Sequence, residues 1–162
     1  MRRAISEELT AFVESGVSIQ VGSRDHRLFP ECVRAYGARV EKGRREVTVF
    51  LPDATGQTTL TNLADNGRVA VCFSRIEDHR SIQLKGQVVA IEPAGPTDRP
   101  IVDRYRGEFV KNIAMIGLPP RISLRLNAWP CRAVRFRIES VFVQTPGPGA
   151  GAPLEAPAPE SR

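Results

Sequence analysis

The chain has 162 residues, the size of one ordinary domain. Hydrophobic residues make up 41%, charged residues 25% and aromatic residues 6%, and this usage excludes a disordered, collagen-like or coiled-coil protein. No stretch approaches the roughly 18 consecutive apolar residues of a membrane span, and residues 1–8 turn acidic before an apolar signal region could form. We therefore expect a cytoplasmic protein without a membrane partner.

The formal net charge is +5, and arginine supplies twenty of the 23 basic residues. Such a balance suits a phosphorylated small molecule as well as a nucleic acid. The arginines are scattered among acidic residues, and the aromatic residues lie largely at apolar-periodic positions rather than between basic residues. Proteins that bind single-stranded nucleic acid interleave the two types. We therefore expect no nucleic-acid partner. A barrel that binds nucleic acid is only the third candidate function.

Neither the cysteines nor the histidines have the spacing of a metal site. Cys32, Cys72 and Cys131 lie far apart, which fits neither a disulfide framework nor a zinc site. His26 and His79 are also distant in sequence, although a haem-ligand role for one of them stays open. No nucleophile elbow, phosphate-binding loop or pair of catalytic carboxylates is present. The sequence therefore predicts no metal site and no catalytic side chain.

The first third of the chain predicts one helix and three strands. Ser6 is a good N-cap for a short helix that follows it. Apolar and polar residues alternate over 17–22 and again over 46–51, which is typical of half-buried strands. Another strand is predicted over 32–40, where Gly37 indicates a bulge or a close backbone contact.

The rest of the chain predicts two helices and three strands: a helix over 57–64, strands over 69–73 and 81–92, a helix from Asp98, and a strand over 134–143. The continuous apolar run 69–73 indicates a strand buried on both faces. The element order lacks the strict alternation of a parallel doubly wound sheet. It predicts a mainly β fold, an antiparallel six-stranded barrel with flanking helices.

Composition changes abruptly after the last predicted strand. From Pro146 onward the chain is rich in glycine, proline and alanine, and such a segment buries little apolar surface. We therefore divide the chain into a domain over 1–145, a Gly/Pro-rich closing loop over 146–154 and a disordered tail over 155–162. Glycines permit close backbone approach and prolines stiffen the segment, so the loop is expected to cover one side of a ligand cleft.

Three strings, in their order and spacing, carry a resemblance to a known family. In residues 66–73, an Asn-Gly-Arg-Val turn that ends a helix is followed by an apolar strand. Residues 79–88 contain Arg-Ser at the start of a long strand, and residues 30–37 form a strand with one arginine. Together they resemble the pyridoxamine-5'-phosphate-oxidase-like FMN-binding split-barrel superfamily. Residues 144–151 resemble the C-terminal loop of an uncharacterised bacterial subgroup. The resemblance covers about residues 5–150 and implies an antiparallel split β-barrel.

The resemblance implies FMN as the cofactor and assigns residues to its phosphate. That phosphate needs arginines, hydroxyls and backbone N–H groups. Arg34 matches the family's flavin-phosphate arginine, and Arg80 and Ser81 open the long strand. Thr58, at the start of a predicted helix, adds a hydroxyl and backbone amides. An ordinary surface role for these residues stays open, as does a plain N-cap role for the segment around Thr58.

Three further residues are assigned to the flavin ring by the resemblance. Gln83 and Lys85 point to one side of the predicted long strand, where dimeric split barrels bind flavin between protomers. Gln144 starts the C-terminal loop, where related proteins contact the ring. An exposed strand face shows the same alternation as Gln83 and Lys85, so both interpretations stay open. The implied function is a homodimeric flavoprotein, an oxidoreductase that acts on an unknown small molecule.

The sequence departs from the oxidase itself at two places. The loop 52–58 has no lysine or arginine, whereas the oxidase has a cationic phosphate-binding loop there. The oxidase's C-terminal Arg-x-His motif is replaced by the Gly/Pro loop. The chain is therefore not expected to be a true pyridoxamine-5'-phosphate oxidase, and whether it is an enzyme stays open. The alternative is a non-catalytic split-barrel binding module that holds haem, a deazaflavin or no cofactor.

Overall fold

The structure is a computed structural model that describes residues 4–123 and 125–154, without the side chains of residues 122 and 123. The tail predicted over 155–162 lies outside the described residues. In chain order the elements are α1 (Glu7–Val13), β1 (Ser18–Arg24), β2 (Pro30–Ala35), β3 (Ala38–Val40), β4 (Glu46–Pro52), α2 (Gln57–Asn66), β5 (Arg68–Ser74), β6 (Ser81–Pro93), α3 (Arg99–Ala114), α4 (Pro120–Ser123) and β7 (Cys131–Val143).

The seven strands form one antiparallel sheet in the order β2-β1-β5-β6-β7-β4-β3. Strands β2 and β3 lie at opposite ends of this order, yet only Tyr36 and Gly37 separate them in sequence. The Tyr36 backbone N–H donates to the Phe50 carbonyl at 2.8 Å, so the two edges of the sheet meet. The sheet therefore curls into a barrel, and the predicted mainly β, antiparallel split barrel with flanking helices is confirmed.

The structure has one strand more than the six predicted. The predicted strand over 32–40 is divided into β2 and β3 at Gly37, whose φ is +107°. An L side chain rarely adopts this backbone conformation, so glycine lets the chain turn from one sheet edge to the other. The glycine that the sequence marked as a bulge or close contact is therefore the corner of the barrel.

The core fills the inside of the barrel, because alternate residues of each strand point inward. Three of its largest fully buried side chains are Phe50, Phe73 and Phe136, which come from β4, β5 and β7. Burying one phenylalanine side chain stabilises the fold by about 1.5–3 kcal/mol. The period-two pattern that predicted these strands is thus the pattern that builds the core.

The helices pack against the strands, α2 against β1 and β2, and α1 and α3 against β3. Helix α1 has the predicted N-cap at Ser6, whose Oγ accepts a hydrogen bond from the Leu9 backbone N–H at 3.1 Å. Helix α2 ends at Gly67, which has the left-handed φ of +66°. Among residues 4–123 and 125–154, none of the helices has the length and hydropathy that a membrane span requires.

Strands β6 and β7 are each 13 residues long and pair along most of their length, with a register shift at Lys85 and Gly86. A Cβ atom on Gly86 would lie 1.9 Å from the Arg137 carbonyl oxygen. Only glycine allows the two backbones to approach this closely. The bulge bends the two longest strands around the barrel.

Residues 144–154 turn back onto β7. The Val143 N–H donates to the Ala152 carbonyl at 2.9 Å, and the Leu154 N–H donates to the Val141 carbonyl at 2.8 Å. The first half of β7 pairs with β4, and its second half is bordered by this returning segment. The segment therefore covers a strand edge that would otherwise be unpaired. Whether it forms a separate closing loop over 146–154 stays a prediction.

Candidate functional site

The outward side of β2, β1, β5, β6 and β7 forms a continuous surface, here called the outer face. Across it the strand pairing brings residues into rows. Gln20 lies opposite Arg34 on one side and Cys72 on the other, and Gln83 lies opposite Cys72 and Phe142. One row therefore carries a guanidinium and two carboxamide groups across five strands. The predicted strand 69–73 is buried only on its inner face, because the Cys72 side of β5 faces outward.

The adjoining row has a depression in its middle, here called the outer cleft. Gly22 lies opposite Ala70 on neighbouring strands, so the floor carries no side chain larger than a methyl group. Cys32 and Lys85 flank this floor on β2 and β6. The outer cleft has a volume of about 770 Å³, within the range of small-molecule sites.

One end of the cleft floor continues into two arginines. Arg24 follows Gly22 by two residues and Arg68 precedes Ala70 by two, so both side chains leave neighbouring strands on the outer face. Both residues line the outer cleft. Because two guanidinium groups adjoin here, this end of the cleft is suited to an anion.

Carboxylates balance only part of this charge. Glu31 and Glu139 also line the outer cleft, and Glu139 forms a 3.1 Å ion pair with Arg68. Among residues 4–123 and 125–154, neither Arg24 nor Lys85 forms an ion pair. The Lys85 Nζ lies 4.8 Å from the centre of the Phe142 ring. The cleft therefore has three cationic groups against two carboxylates.

Three of the sequence-predicted site residues come together where β6 begins. The Gln144 N–H donates to the Ser81 carbonyl at 2.8 Å, and Gln144 Nε2 donates to Gln83 Oε1 at 3.4 Å. Ser81 itself is buried, and its Oγ lies 2.8 Å from Ser74 Oγ and 2.9 Å from the His79 carbonyl. Gln83 and Lys85 lie on the same outer face, as their alternation on the strand predicted.

Arg80 and Thr58 lie apart from each other within one protomer. Arg80 forms a 2.6 Å ion pair with Glu8, and its guanidinium lies 4.9 Å from the centre of the Phe12 ring on α1. Thr58 is exposed on α2. Asn62 and Asn66 of α2 bond to the end of β1, opposite the end where β6 begins. The two ends are about 20 Å apart along β5.

The surroundings of Arg34 differ from those of Arg80 and of Thr58. Its Nη1 donates to Ser18 Oγ at 3.0 Å, and its guanidinium lies 4.9 Å from the centre of the Phe109 ring on α3. Its backbone is three strands from Gln83, which is about 14 Å. One protomer therefore does not bring Arg34, Arg80 and Thr58 onto a single ligand. Their shared role in binding a phosphate stays a prediction.

No protein-family model matches the sequence, and no curated protein matches it. Among solved structures, HupZ of Group A Streptococcus is 18% identical, with a TM-score of 0.56 over 91% of this chain and 99% of that chain. An F420 reductase is 15% identical, with a TM-score of 0.58 over 85% and 98%. An FMN-binding protein from Syntrophomonas wolfei is 13% identical, with a TM-score of 0.51 over 84% and 86%.

These alignments extend over most of both chains, at identities that establish the fold and nothing finer. The chain has a split-barrel fold. The resemblance drawn from the sequence strings is therefore confirmed at this level. In this split barrel, the outer face carries both the predicted residues Gln83 and Lys85 and the outer cleft.

Sequence reasoning missed the parts of the cleft that come from β1 and the start of β5. Gly22 and Arg24 lie in no motif, and Arg68 and Ala70 lie in the string 66–73 but were not assigned to a site. A signal existed in β5, where Arg68, Ala70 and Cys72 occupy alternate positions and therefore share one side of the strand. Nothing local indicated that β1 would lie beside them.

The titratable groups of the split barrel whose pKa values are shifted lie away from the outer cleft. Burial raises the pKa of Tyr105, whose hydroxyl donates to the Val17 carbonyl at 2.7 Å. A hydrogen bond from Arg75 lowers the pKa of the exposed Asp78. Both groups thus serve structural contacts. In the part of the chain that the structure describes, no three His, Cys, Asp or Glu side chains are grouped to hold a metal ion.

Proposed function

We propose that this split barrel is a homodimeric flavoprotein that binds FMN in the outer cleft, and that it is an oxidoreductase acting on a small molecule. The observation that carries the proposal is the floor of Gly22 and Ala70, which has no side chain larger than a methyl group and ends at the arginine pair Arg24 and Arg68. A flat floor suits a planar ring system, and an arginine pair suits a phosphate.

The donor set of the cleft fits the parts of FMN. Arg24 and Arg68 would hold the phosphate, while the ring would lie over Gly22 and Ala70. Lys85, and Gln83 in the next row, would donate hydrogen bonds to the ring's nitrogen and oxygen atoms. A Cβ on Gly22 would meet nothing closer than the Ala70 carbonyl at 3.4 Å, so this position is open toward the cleft. Bound flavin supplies the redox chemistry, and the chain's residues bind and orient it.

Two other cofactors that the sequence left open, a deazaflavin and haem, are less well supported at this site than FMN. A deazaflavin is the second candidate, since the chain shares its fold with an F420 reductase and the same cations would accept its phosphate. Haem is less well supported, because neither His26 nor His79 lines the outer cleft. FMN therefore remains the first choice.

The experiment measures the Kd of FMN and of riboflavin, which lacks the phosphate, for the full chain and its variants. Arg24→Gln and Arg68→Gln are each expected to weaken FMN about tenfold, because an exposed arginine–phosphate contact contributes about 1.4 kcal/mol. Neither variant should change riboflavin binding. Ala70→Leu should weaken both ligands at least tenfold, because it fills the floor. The matched control is Arg104→Gln on the exposed side of α3.

A further variant separates this anchor from the one predicted by sequence. If Arg80 and its predicted partners held the phosphate, Arg80→Ala would weaken FMN about ten- to a hundredfold. The outer-cleft anchor requires that Arg80→Ala bind FMN like the parent chain. Equal FMN affinities for the parent, Arg68→Gln and Ala70→Leu would overturn the proposal.

A further inference from the structure

A second depression, here called the α3 groove, lies between the outer face and the C-terminal part of α3. It has a volume of about 390 Å³. Its polar lining consists of Arg34 and Ser18 from the sheet. The rest of its lining is apolar and includes Phe109, Ile113, Ile116, Leu118 and Leu126. The groove therefore combines one cationic group with an apolar wall.

Part of the apolar wall is uncovered. Ile116 is 60% exposed, Leu118 is 46% exposed and Leu126 is 40% exposed. Single exposed apolar residues are ordinary, but these three line the same groove. Contiguous exposed apolar surface marks ligand-binding grooves and interaction sites. An apolar ligand in the groove would remove this surface from water.

Among the residues that the structure describes, the guanidinium of Arg34 has no acidic partner. It donates to Ser18 Oγ at 3.0 Å and lies 4.9 Å from the centre of the Phe109 ring. It forms no ion pair with any residue of 4–123 or 125–154. The residue is half-buried, and a partly desolvated cation without a counterion favours an anionic ligand. Its planar donors match a carboxylate through two parallel hydrogen bonds.

We propose that the α3 groove binds a free apolar monocarboxylic acid, with its carboxylate on Arg34 and its hydrocarbon part against Phe109, Ile113, Ile116 and Leu118. One unpaired cation is complementary to one negative charge, so a monoanion fits better than a phosphate dianion. The apolar lining selects against short or polar acids. The binding does not depend on the proposed flavin site, because the outer cleft and the α3 groove share no lining residue.

The experiment titrates the flavin-free full chain with octanoate, octanol and butyrate and follows binding by calorimetry or by NMR shifts. Octanoate is expected to bind more tightly than octanol or butyrate, because only octanoate supplies both the charge and the chain. Arg34→Met keeps an apolar contact with Phe109 and removes the charge. It should weaken octanoate at least tenfold and leave octanol unchanged. Retained octanol binding shows that the variant groove is folded.

Two more variants complete the design. Ile116→Ser should weaken octanoate and octanol alike, because it removes apolar surface from the groove. Arg104→Met, on the exposed side of α3, is the matched charge control and should change nothing. Equal octanoate affinities for the parent and Arg34→Met would overturn the proposal. The proposal would also be overturned if octanoate did not bind and Ile116→Ser had a different molecular mass in solution from the parent chain. A second copy of the chain would then cover the groove.

Discussion

The three cysteines differ in the surroundings that the fold gives them. Cys32 is exposed and flanks the outer cleft, whereas Cys131 is buried. Burial, with smaller contributions from the carboxylates of Asp53 and Asp98, raises the pKa of the Cys131 thiol to about 11. Because the thiolate is the reactive form, only about a thousandth of Cys131 is reactive at pH 8.

This contrast gives a residue-scale prediction that also reports on the outer cleft. With Ellman's reagent at pH 8, Cys32 should react readily and Cys131 only after unfolding. Saturating FMN should slow the reaction of Cys32 at least fivefold, because flavin over Gly22 and Ala70 would block access to the thiol. Cys32→Ser, the control, should lose this fast phase. A reaction rate of Cys32 that FMN leaves unchanged would place the flavin elsewhere.

At the scale of elements, the bulge between β6 and β7 depends on one glycine. The missing side chain at Gly86 lets the Arg137 carbonyl approach to within 1.9 Å of where a Cβ would lie. The atom in the way belongs to a backbone that is itself hydrogen-bonded in the sheet, so it cannot move as a flexible side chain would. Lys85, which flanks the outer cleft, precedes this bulge, so the bulge also sets the direction of a proposed flavin contact.

Gly86→Ala is therefore expected to destabilise the protein by about 3 kcal/mol or more, since overpacking against backbone forces the strands apart. The control is Gly107→Ala in the interior of α3, where a new Cβ meets nothing within 4 Å. That variant should stabilise the protein by about 0.5–1 kcal/mol, because alanine is the better helix former. Denaturant unfolding measures both values, and similar midpoints for the two variants would contradict this account.

At the scale of the whole molecule, the outer face is only half-covered in a single protomer. Gln20, Cys72 and Phe142 are neither buried nor fully exposed. A two-fold dimer covers a half-exposed face of this kind with one self-complementary surface. We propose that the outer face is this surface, with the outer cleft between two protomers.

Light scattering should then give twice the monomer mass at micromolar concentration. Phe142→Asp adds a charge on the β7 side of the outer face, away from the barrel core, and should shift the mass to that of a monomer. Arg104→Asp on α3 is the matched control and should leave a dimer. A parent chain that is monomeric across the micromolar range would contradict the dimer and require each protomer to bind FMN alone.

Much of the fold could be predicted from the sequence because its signals are local. Alternation over 17–22 and 46–51, the cap at Ser6 and the glycine that ends α2 each depend on neighbouring residues. The same period placed Gln83 and Lys85 on one side of a strand, and the structure keeps them on the outer face. Such patterns survive folding because strand and helix geometry fixes which neighbours share a face.

The sequence by itself therefore determined the strands, their inward and outward residues and the split-barrel class. Only the tertiary structure decided which outward residues meet. Gly22 and Ala70 form the cleft floor because β1 pairs with β5, and Arg34 lies beside α3 rather than beside Arg80. These are contacts between segments tens of residues apart, chosen by strand order and register across the whole sheet. No local period encodes that choice, since an equally good alternation would fit another neighbour.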